Sequence, residues 1–338
     1  MVTVSRSLIA QAPGDQRWIR VEDPSAASAC RGAALQLAAR LQFPAARADQ
    51  LALAVTEAAT NLHKHAAQGA MLLRIARGEG SPGIEVVTVD AGPGFHDSAA
   101  VLRDGHSTSG TLGIGLGAIR RLADFCDLYS VPGHGTALVA RFWPAPRTET
   151  FRSAGLARPI TGETECGDIY GTIEADGLLT GVLCDGLGHG PLAASAAAAA
   201  VTAVLADPAG EPAVLLERAH RRMAHTRGGA VAVVQLAGPT VLFAGLGNVA
   251  AVILAGGSRK SMPSVPGIAG HQARNIRQFE YTAPPGAAVI LHSDGISGRW
   301  DPAALPGLPA RDPLVVAATL FAQAASRRDD AGVLVIKP

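Results

Sequence analysis

The 338-residue sequence has no excess of charge of either sign: 29 Lys and Arg stand against 28 Asp and Glu, a net charge of +1. Such a balance lacks the basic footprint that nucleic acid or an anionic membrane attracts, so proteins and small molecules are the expected partners. Cysteine is scarce and unpatterned. Cys30, Cys126, Cys166 and Cys184 show no C-x-x-C spacing, which argues against a zinc site or a disulfide framework and fits small buried hydrophobes in a reducing compartment. Long apolar runs are missing too. The most hydrophobic stretch, LAASAAAAAVTAVLA over 192–206, is mostly alanine and falls short of the ~20 residues that span a bilayer, so it reads as a core helix. The opening MVTVSRSLIAQAPGDQRW has too short an apolar run for a signal peptide, and a cytoplasmic location is expected.

What is present suffices for two cores. The chain is long for one domain of ~100 to 200 residues, and its composition is 48% hydrophobic. In the first half, QRWIRVE (16–22) reads as a strand. The apolar spacing of 24–41 and 46–66 predicts two helices, the first with Pro24 in its opening turn. MLLRIARG (71–78) and GIEVVTVD (83–90) read as strands, 116–126 as a helix, and 127–143 as a strand pair around PGHG. The segment 144–155, PAPRTETFRSAG, has linker chemistry. The expected organisation is therefore an α/β layer domain over 1–143, a linker over 144–155, and a second domain over 156–338. The second domain alternates many strand-like runs with helices at 191–206, 211–225 and 312–325, which suggests an α+β sandwich.

Three motifs in the first half bear on chemistry. Glu57 and Asn61 lie four apart and share a helical face, where a carboxylate can act as base and an amide oxygen can ligate Mg2+; alone, the pair is an ordinary solvated face. DAGPG (90–94) ends an apolar strand. Asp90 could accept from an adenine amino group, with Gly92 and Gly94 letting the backbone approach the base, although a plain strand-ending turn has the same pattern. In GTLGIGLGAIRRL (110–122), Gly113, Gly115 and Gly117 precede a helix whose free N–H groups favour phosphate. No strand directly precedes it, so a Rossmann reading fails.

In this order, E57-A-A-T-N61, D90-A-G-P-G94 and G113-I-G-L-G117 resemble the nucleotide-binding boxes of the GHKL ATPase and kinase superfamily. The stretch DGHSTSGTLGIGLGAIRRLADFCDLYSVPGHGTALVARFW resembles the RsbT-type switch serine kinases, over roughly 16–143. The resemblance implies a Bergerat ATP-binding fold holding ATP with Mg2+. It further implies a short lid at about 96–112, Asn61 on the metal, Asp90 on adenine, and Glu57 as base for an acceptor serine. Phosphoryl transfer asks for positioning and electrostatics more than covalent chemistry. Lys64 and His65 could reach phosphate or simply form an exposed helix end.

The second half carries VLCDGLGHG (182–190). A phosphate loop would place Lys and Ser or Thr at the helix start, and Pro191 and Leu192 stand there instead. Three other acidic stations, GD at 167–168, SDG at 293–295 and RDD at 328–330, lie near strand ends. Carboxylates without Cys or His partners select Mg2+ or Mn2+.

GETECGD, CDGLGHG, AGLGN, PPGAAVILHSDG and RRDDAGVLVI together resemble the SpoIIE-type branch of the metal-dependent (PPM) serine/threonine phosphatases, in particular its RsbX-like members, over roughly 154–338. That resemblance implies an α-β-β-α sandwich with two Mn2+ or Mg2+ ions. Asp185 would bridge the ions, the Gly186 carbonyl would ligate one, and Asp168, Asp294 and Asp329 would be direct or water-mediated ligands. Two such ions would acidify a shared water and clamp the phosphoryl oxygens for in-line attack. Asp330 competes with Asp329, and strand alternation favours Asp329. His189 is open to two roles, acid for the leaving serine oxygen or end of the turn. Where eukaryotic relatives have a phosphate-binding arginine, Glu163 stands, so phosphate binding is expected from metal or substrate protein, with small phosphate esters poor substrates.

Together the halves imply a fused switch that phosphorylates and dephosphorylates a STAS-domain antagonist or stressosome-like protein and so acts on a sigma-factor regulator. The alternative is a phosphatase whose ATP-binding half is a non-catalytic, anti-sigma-like binding module. A histidine-kinase-like sensor is disfavoured, because no dimerisation helix with a phosphoacceptor histidine precedes the ATP domain. A degenerate phosphatase is disfavoured by the intact aspartate set.

Overall fold

The computed structural model describes residues 15–77, 80–96, 115–273, 275–326 and 328–338. It divides into two compact units that meet in sequence at Thr150 and Phe151.

In the first unit, helices α1 (Ala26–Arg40), α2 (Ala45–His65) and α3 (Gly115–Leu122) accompany five strands: β1 (Gln16–Arg20), β2 (Ala70–Ala76), β3 (Gly83–Asp90), β4 (Phe125–Ser130) and β5 (Thr136–Phe142). The strands form one antiparallel sheet in the order β1-β2-β3-β5-β4. Alternation decides which side chains meet the helices. Met71, Leu73, Ile84, Val86, Leu138, Ala140 and Phe142 pack with Leu51, Val55 and Leu62 of α2 into one core. On the opposite face, Glu85 is bonded to both Arg74 and Arg141, each at 2.7 Å, so the buried charges there are paired.

Two boundaries depart from the sequence reading. The helix expected over 116–126 stops at Leu122, because Phe125 and Cys126 are already paired with β5. Asp124 fixes the change of direction by accepting the Trp143 N–H at 2.8 Å and pairing with Arg47. Pro24 falls ahead of α1, whose N-cap is Ser25.

The second unit opens within the expected linker. Ser153 already belongs to β6 (Ser153–Arg158), whose pairing with β15 (Ala331–Ile336) outweighs the local linker composition. One sheet has the order β13-β10-β9-β8-β7, formed by β7 (Asp168–Ala175), β8 (Leu178–Gly186), β9 (Gly229–Ala237), β10 (Thr240–Leu246) and β13 (Gln278–Thr282). The other, β12-β11-β14-β15-β6, adds β11 (Ala250–Ala255), β12 (Ser258–Met262) and β14 (Ala288–His292). Tyr170, Leu183, Val234 and Phe243 of the first sheet interdigitate with Val289, Leu291, Leu334 and Ile336 of the second. Helices α4 (Pro191–Leu205) and α5 (Pro212–Arg222) bury Ala196, Ala200, Val204, Leu215 and Leu216 on the outer face of the first sheet. Helix α6 (Pro313–Ala324), capped by Asp312 accepting the Leu314 N–H, packs on β6 and β15. The result is a helix-sheet-sheet-helix sandwich. Among the described residues no helix is long and apolar enough to cross a membrane.

Candidate functional sites

Helix α2 presents the first site. Thr56 and Thr60 return their hydroxyls to the carbonyls of Ala52 and Thr56. The intervening Glu57 is half-buried, and its carboxylate has no hydrogen-bond partner among the described residues. One turn on, the Asn61 amide nitrogen is fully buried and also unpartnered among those residues. Leaving a buried amide unpaired costs ~1–3 kcal/mol, a cost that a ligand supplying a partner would remove. Turning the amide over presents its oxygen to a cation instead. Gly115 opens α3 directly beside it, where a Cβ would lie 3.3 Å from that nitrogen. Gly117 is buried one step further along α3, whereas Gly113 and nearly all of the expected lid at 96–112 lie outside the described residues.

Asp90 ends β3 and accepts the Gly92 N–H at 2.7 Å. Burial raises its carboxyl above the ordinary range, against the lowering effect of that bond. Gly94 holds a left-handed φ of +62°, and a side chain there would collide with the Val131 carbonyl. Gly133 N–H donates to Pro93 O at 2.7 Å, and Phe95 N–H donates to Ser130 Oγ at 3.0 Å. The DAGPG segment is thus pinned to the β4–β5 hairpin. These residues fit a nucleotide with its cation: a partner-free amide, a bare-backbone approach at Gly115 and a half-buried aspartate at the strand end. Lys64 and His65 are exposed in the last turn of α2.

The second site gathers where β7, β8, β14 and β15 begin or end. Asp168 stands opposite Asp185 in the β7–β8 register. Asp168 is buried and accepts the Ser293 hydroxyl at 2.6 Å, and Ser293 Oγ in turn accepts the Gly332 N–H at 2.9 Å. Burial first, and then the Asp185 charge, push the Asp168 carboxyl well above the usual range. Asp185 is raised to about 7 by burial and by the charges of Asp294, Asp329 and Asp330, and it shares a carboxyl-to-carboxylate hydrogen bond with Asp294. Gly186 N–H donates to Gly167 O at 3.0 Å, and Gly186 has no room for a side chain against the Ala193 carbonyl.

Asp329 and Asp330 differ in their hydrogen bonding. Asp330 is buried, with Oδ1 accepting the Ile160 N–H at 2.7 Å and Oδ2 the Gly167 N–H at 2.8 Å. Asp329 is exposed and adds its charge to Asp185 and Asp294.

None of the five aspartates is ion-paired with a lysine or arginine among the described residues, and the carboxyls of Asp168, Asp185, Asp294 and Asp330 are raised by burial and by the charges of others in the set. Mutual repulsion of that kind is relieved by divalent cations, so the donor set fits Mg2+ or Mn2+. Among the described residues no three acidic, His or Cys side chains close into a ready metal cluster.

Two participants escaped the sequence reading as individual residues. Asn248, in the AGLGN turn, donates to Asp294, and Ser293 orients Asp168. The turn residue His189 is bonded through Nδ1 to Glu163 Oε1 at 2.9 Å.

Comparison with known proteins gives both halves relatives. Residues 21–142 match the histidine kinase-like ATPase domain family, and residues 175–337 match the stage II sporulation protein E (SpoIIE) family. The serine/threonine-protein kinase RsbT of Bacillus subtilis (strain 168) is 33% identical over 129 residues, which are 38% of this chain and 97% of that protein. A solved structure from a study of the bacterial stressosome as a modular system adapted to control secondary messenger signalling is 26% identical, with a TM-score of 0.51. It covers 56% of this chain and 100% of that one. A structure of RsbX in complex with magnesium is 19% identical with a TM-score of 0.48, covering 56% of this chain and 96% of that one.

Proposed function

Because the chain belongs to the RsbT-type switch kinases through its N-terminal half and carries a SpoIIE-type phosphatase domain after it, we propose that it is a fused partner-switching regulator. It adds phosphate to, and removes phosphate from, a serine of one STAS-domain antagonist or stressosome-like protein, and so sets the state of a sigma-factor regulator in the cytoplasm. The observation that carries the reading is that two separately built phosphate-chemistry sites lie on one polypeptide: the unpartnered Asn61 amide beside Gly115, and the unneutralised aspartates around Asp185.

In the first site Asn61 would hold the Mg2+ of ATP–Mg2+ and Asp90 would accept from the adenine amino group. Glu57, one helical turn from Asn61 with a free carboxylate, takes the proton of the acceptor serine as it attacks the γ-phosphorus. In the second site Asp185, Asp294 and Asp329, with the Gly186 carbonyl and Asp168, would hold two divalent ions directly or through water. The bound ions supply an acidified water and charge neutralisation at the phosphoryl group. Ser293 holds the Asp168 carboxylate in orientation, Asn248 does the same for Asp294, and Asp330 anchors the backbone at Ile160 and Gly167. Placing both activities on one chain raises the concentration of each near a substrate held by the other.

The test is label transfer from γ-labelled ATP to a STAS-domain protein, with Glu57→Gln and Asp185→Asn as controls. Glu57→Gln is expected to abolish labelling and Asp185→Asn to preserve the label once formed. Labelling that survives Glu57→Gln removes Glu57 as the base, whereas wild type that transfers no label defeats the kinase assignment and leaves the N-terminal unit as an ATP-gated binding module.

A further inference from the structure

The phosphatase resemblance leaves one task without a residue. The arginine that grips phosphate in eukaryotic relatives has no counterpart ahead of Asp168, and Glu163, in that neighbourhood, is engaged by His189. A cation nevertheless stands at the aspartate turn, delivered by a different element. Arg227 lies in the loop between α5 and β9, two residues before Gly229, whose strand position faces Gly186.

That loop is fastened to the turn. Leu187 N–H donates to Gly228 O at 2.9 Å, Gly229 has no room for a side chain against the Asp185 carbonyl, and the Arg227 carbonyl is bonded to His271 Nε2 at 3.1 Å. From this held backbone the guanidinium reaches over the turn, with Nη1 3.1 Å from where a Cβ on Gly188 would lie. The side chain is exposed and makes no ion pair or hydrogen bond among the described residues. An unpaired guanidinium over the turn that follows Asp185 has its planar fork of donors free for a phosphate.

We propose that Arg227 is the phosphate-binding residue of the phosphatase site, holding the non-reacting oxygens of the phosphoserine while the aspartate-bound ions face the reacting side. The inference rests on the phosphatase reading and revises one expectation drawn from the sequence, that phosphate is held only by metal and substrate protein. Charge-assisted, bidentate arginine–phosphate contacts strengthen as the transferring group spreads its charge over the outer oxygens, so Arg227 acts on both binding and turnover. It follows that inorganic phosphate competes with substrate.

The experiment compares wild type, Arg227→Ala and Arg227→Lys as Mn2+-loaded full chains. It reads kcat and KM on a phosphoserine peptide and on p-nitrophenyl phosphate, the Ki of inorganic phosphate, and the calorimetric Kd of inorganic phosphate. Arg227→Ala is expected to lower kcat/KM about 100-fold and to raise Ki and Kd for phosphate about tenfold or more, with Arg227→Lys between. Mn2+ affinity and the unfolding midpoint are expected to stay at wild-type values. Wild-type Ki and Kd in Arg227→Ala overturn the assignment, whatever happens to kcat, and leave the phosphatase reading standing. If the wild type itself shows no metal-dependent hydrolysis, the phosphatase reading fails and the assignment fails with it.

Discussion

Asp330 Oδ2 accepts the backbone N–H of Gly167 at 2.8 Å, tying the end of β7 that carries Asp168 to the start of β15. Its other oxygen takes Ile160 N–H, so both oxygens of Asp330 are committed to the backbone, while the exposed Asp329 accepts the adjacent Asp330 N–H at 2.9 Å through Oδ1 and leaves Oδ2 to solvent. Asp330→Ala should therefore lower the stability of the phosphatase unit by ~2–4 kcal/mol, the cost of two unpaired N–H groups that lose a charged acceptor. Asp329→Asn should leave stability almost unchanged and sharply lower metal-dependent hydrolysis. Denaturant midpoints and turnover, measured on both variants, decide it; the reverse pattern would exchange their roles.

The carboxyl of Asp185 sets a pH dependence. Its pKa in the fold is about 7, above the ~3.9 of a free aspartate, so between these values the folded state holds a proton that the unfolded state has released. Metal-free stability must fall as pH rises through that window, and the loss is complete above the folded value. Divalent ions bound by the ionised form should reverse the trend. Thermal unfolding with and without Mn2+ should show a gain of several degrees at pH 8 that shrinks towards pH 5. A gain independent of pH would contradict this linkage.

Much of this was legible in the sequence. Alternation in GIEVVTVD and the helical spacing of 46–66 placed β3 and α2, and hence the relative order of Asp90, Glu57 and Asn61. The aspartates at strand ends marked the second site because carboxylates without nearby cations have few other uses. What stayed hidden depended on long-range pairing. Phe125 and Cys126 look helical beside α3 and join a strand because β5 is there to receive them. Ser153 reads as linker until β15 pairs with it. Asn248 and Ser293 are ordinary polar residues in sequence, and their bonds to Asp294 and Asp168 span 46 and 125 positions.

In the ATP site, Glu57→Gln should retain nucleotide affinity and lose phosphoryl transfer by at least ~100-fold, as expected for removal of a general base. Asn61→Ala removes a buried, unpaired amide, so the nucleotide-free protein should not lose the stability that a satisfied hydrogen bond would contribute. Its affinity for ATP–Mg2+ should fall about tenfold or more, one lost charge-assisted contact. Calorimetric titration of both variants separates positioning from chemistry. Equal loss of ATP affinity in the two would contradict the division of labour.

Gly94 supplies a purely steric test. Gly94→Ala combines a left-handed backbone, worth ~1–2 kcal/mol of strain, with a collision at the Val131 carbonyl. The variant should unfold its N-terminal unit earlier and bind ATP more weakly, because the pinned DAGPG segment carries Asp90. Hydrolysis by the C-terminal unit should persist. Circular dichroism and nucleotide titration read the first two effects, and phosphopeptide turnover reads the third.

The central claim is that one chain both writes and erases the same phosphoserine. A single time course with γ-labelled ATP, a STAS-domain protein and Mg2+, followed by Mn2+ at the plateau, tests it most directly. Label is expected to accumulate on serine and then to leave as inorganic phosphate. If no label ever reaches the protein while pre-phosphorylated partner is still hydrolysed, the ATP site is a binding switch and the claim of a fused kinase and phosphatase is wrong.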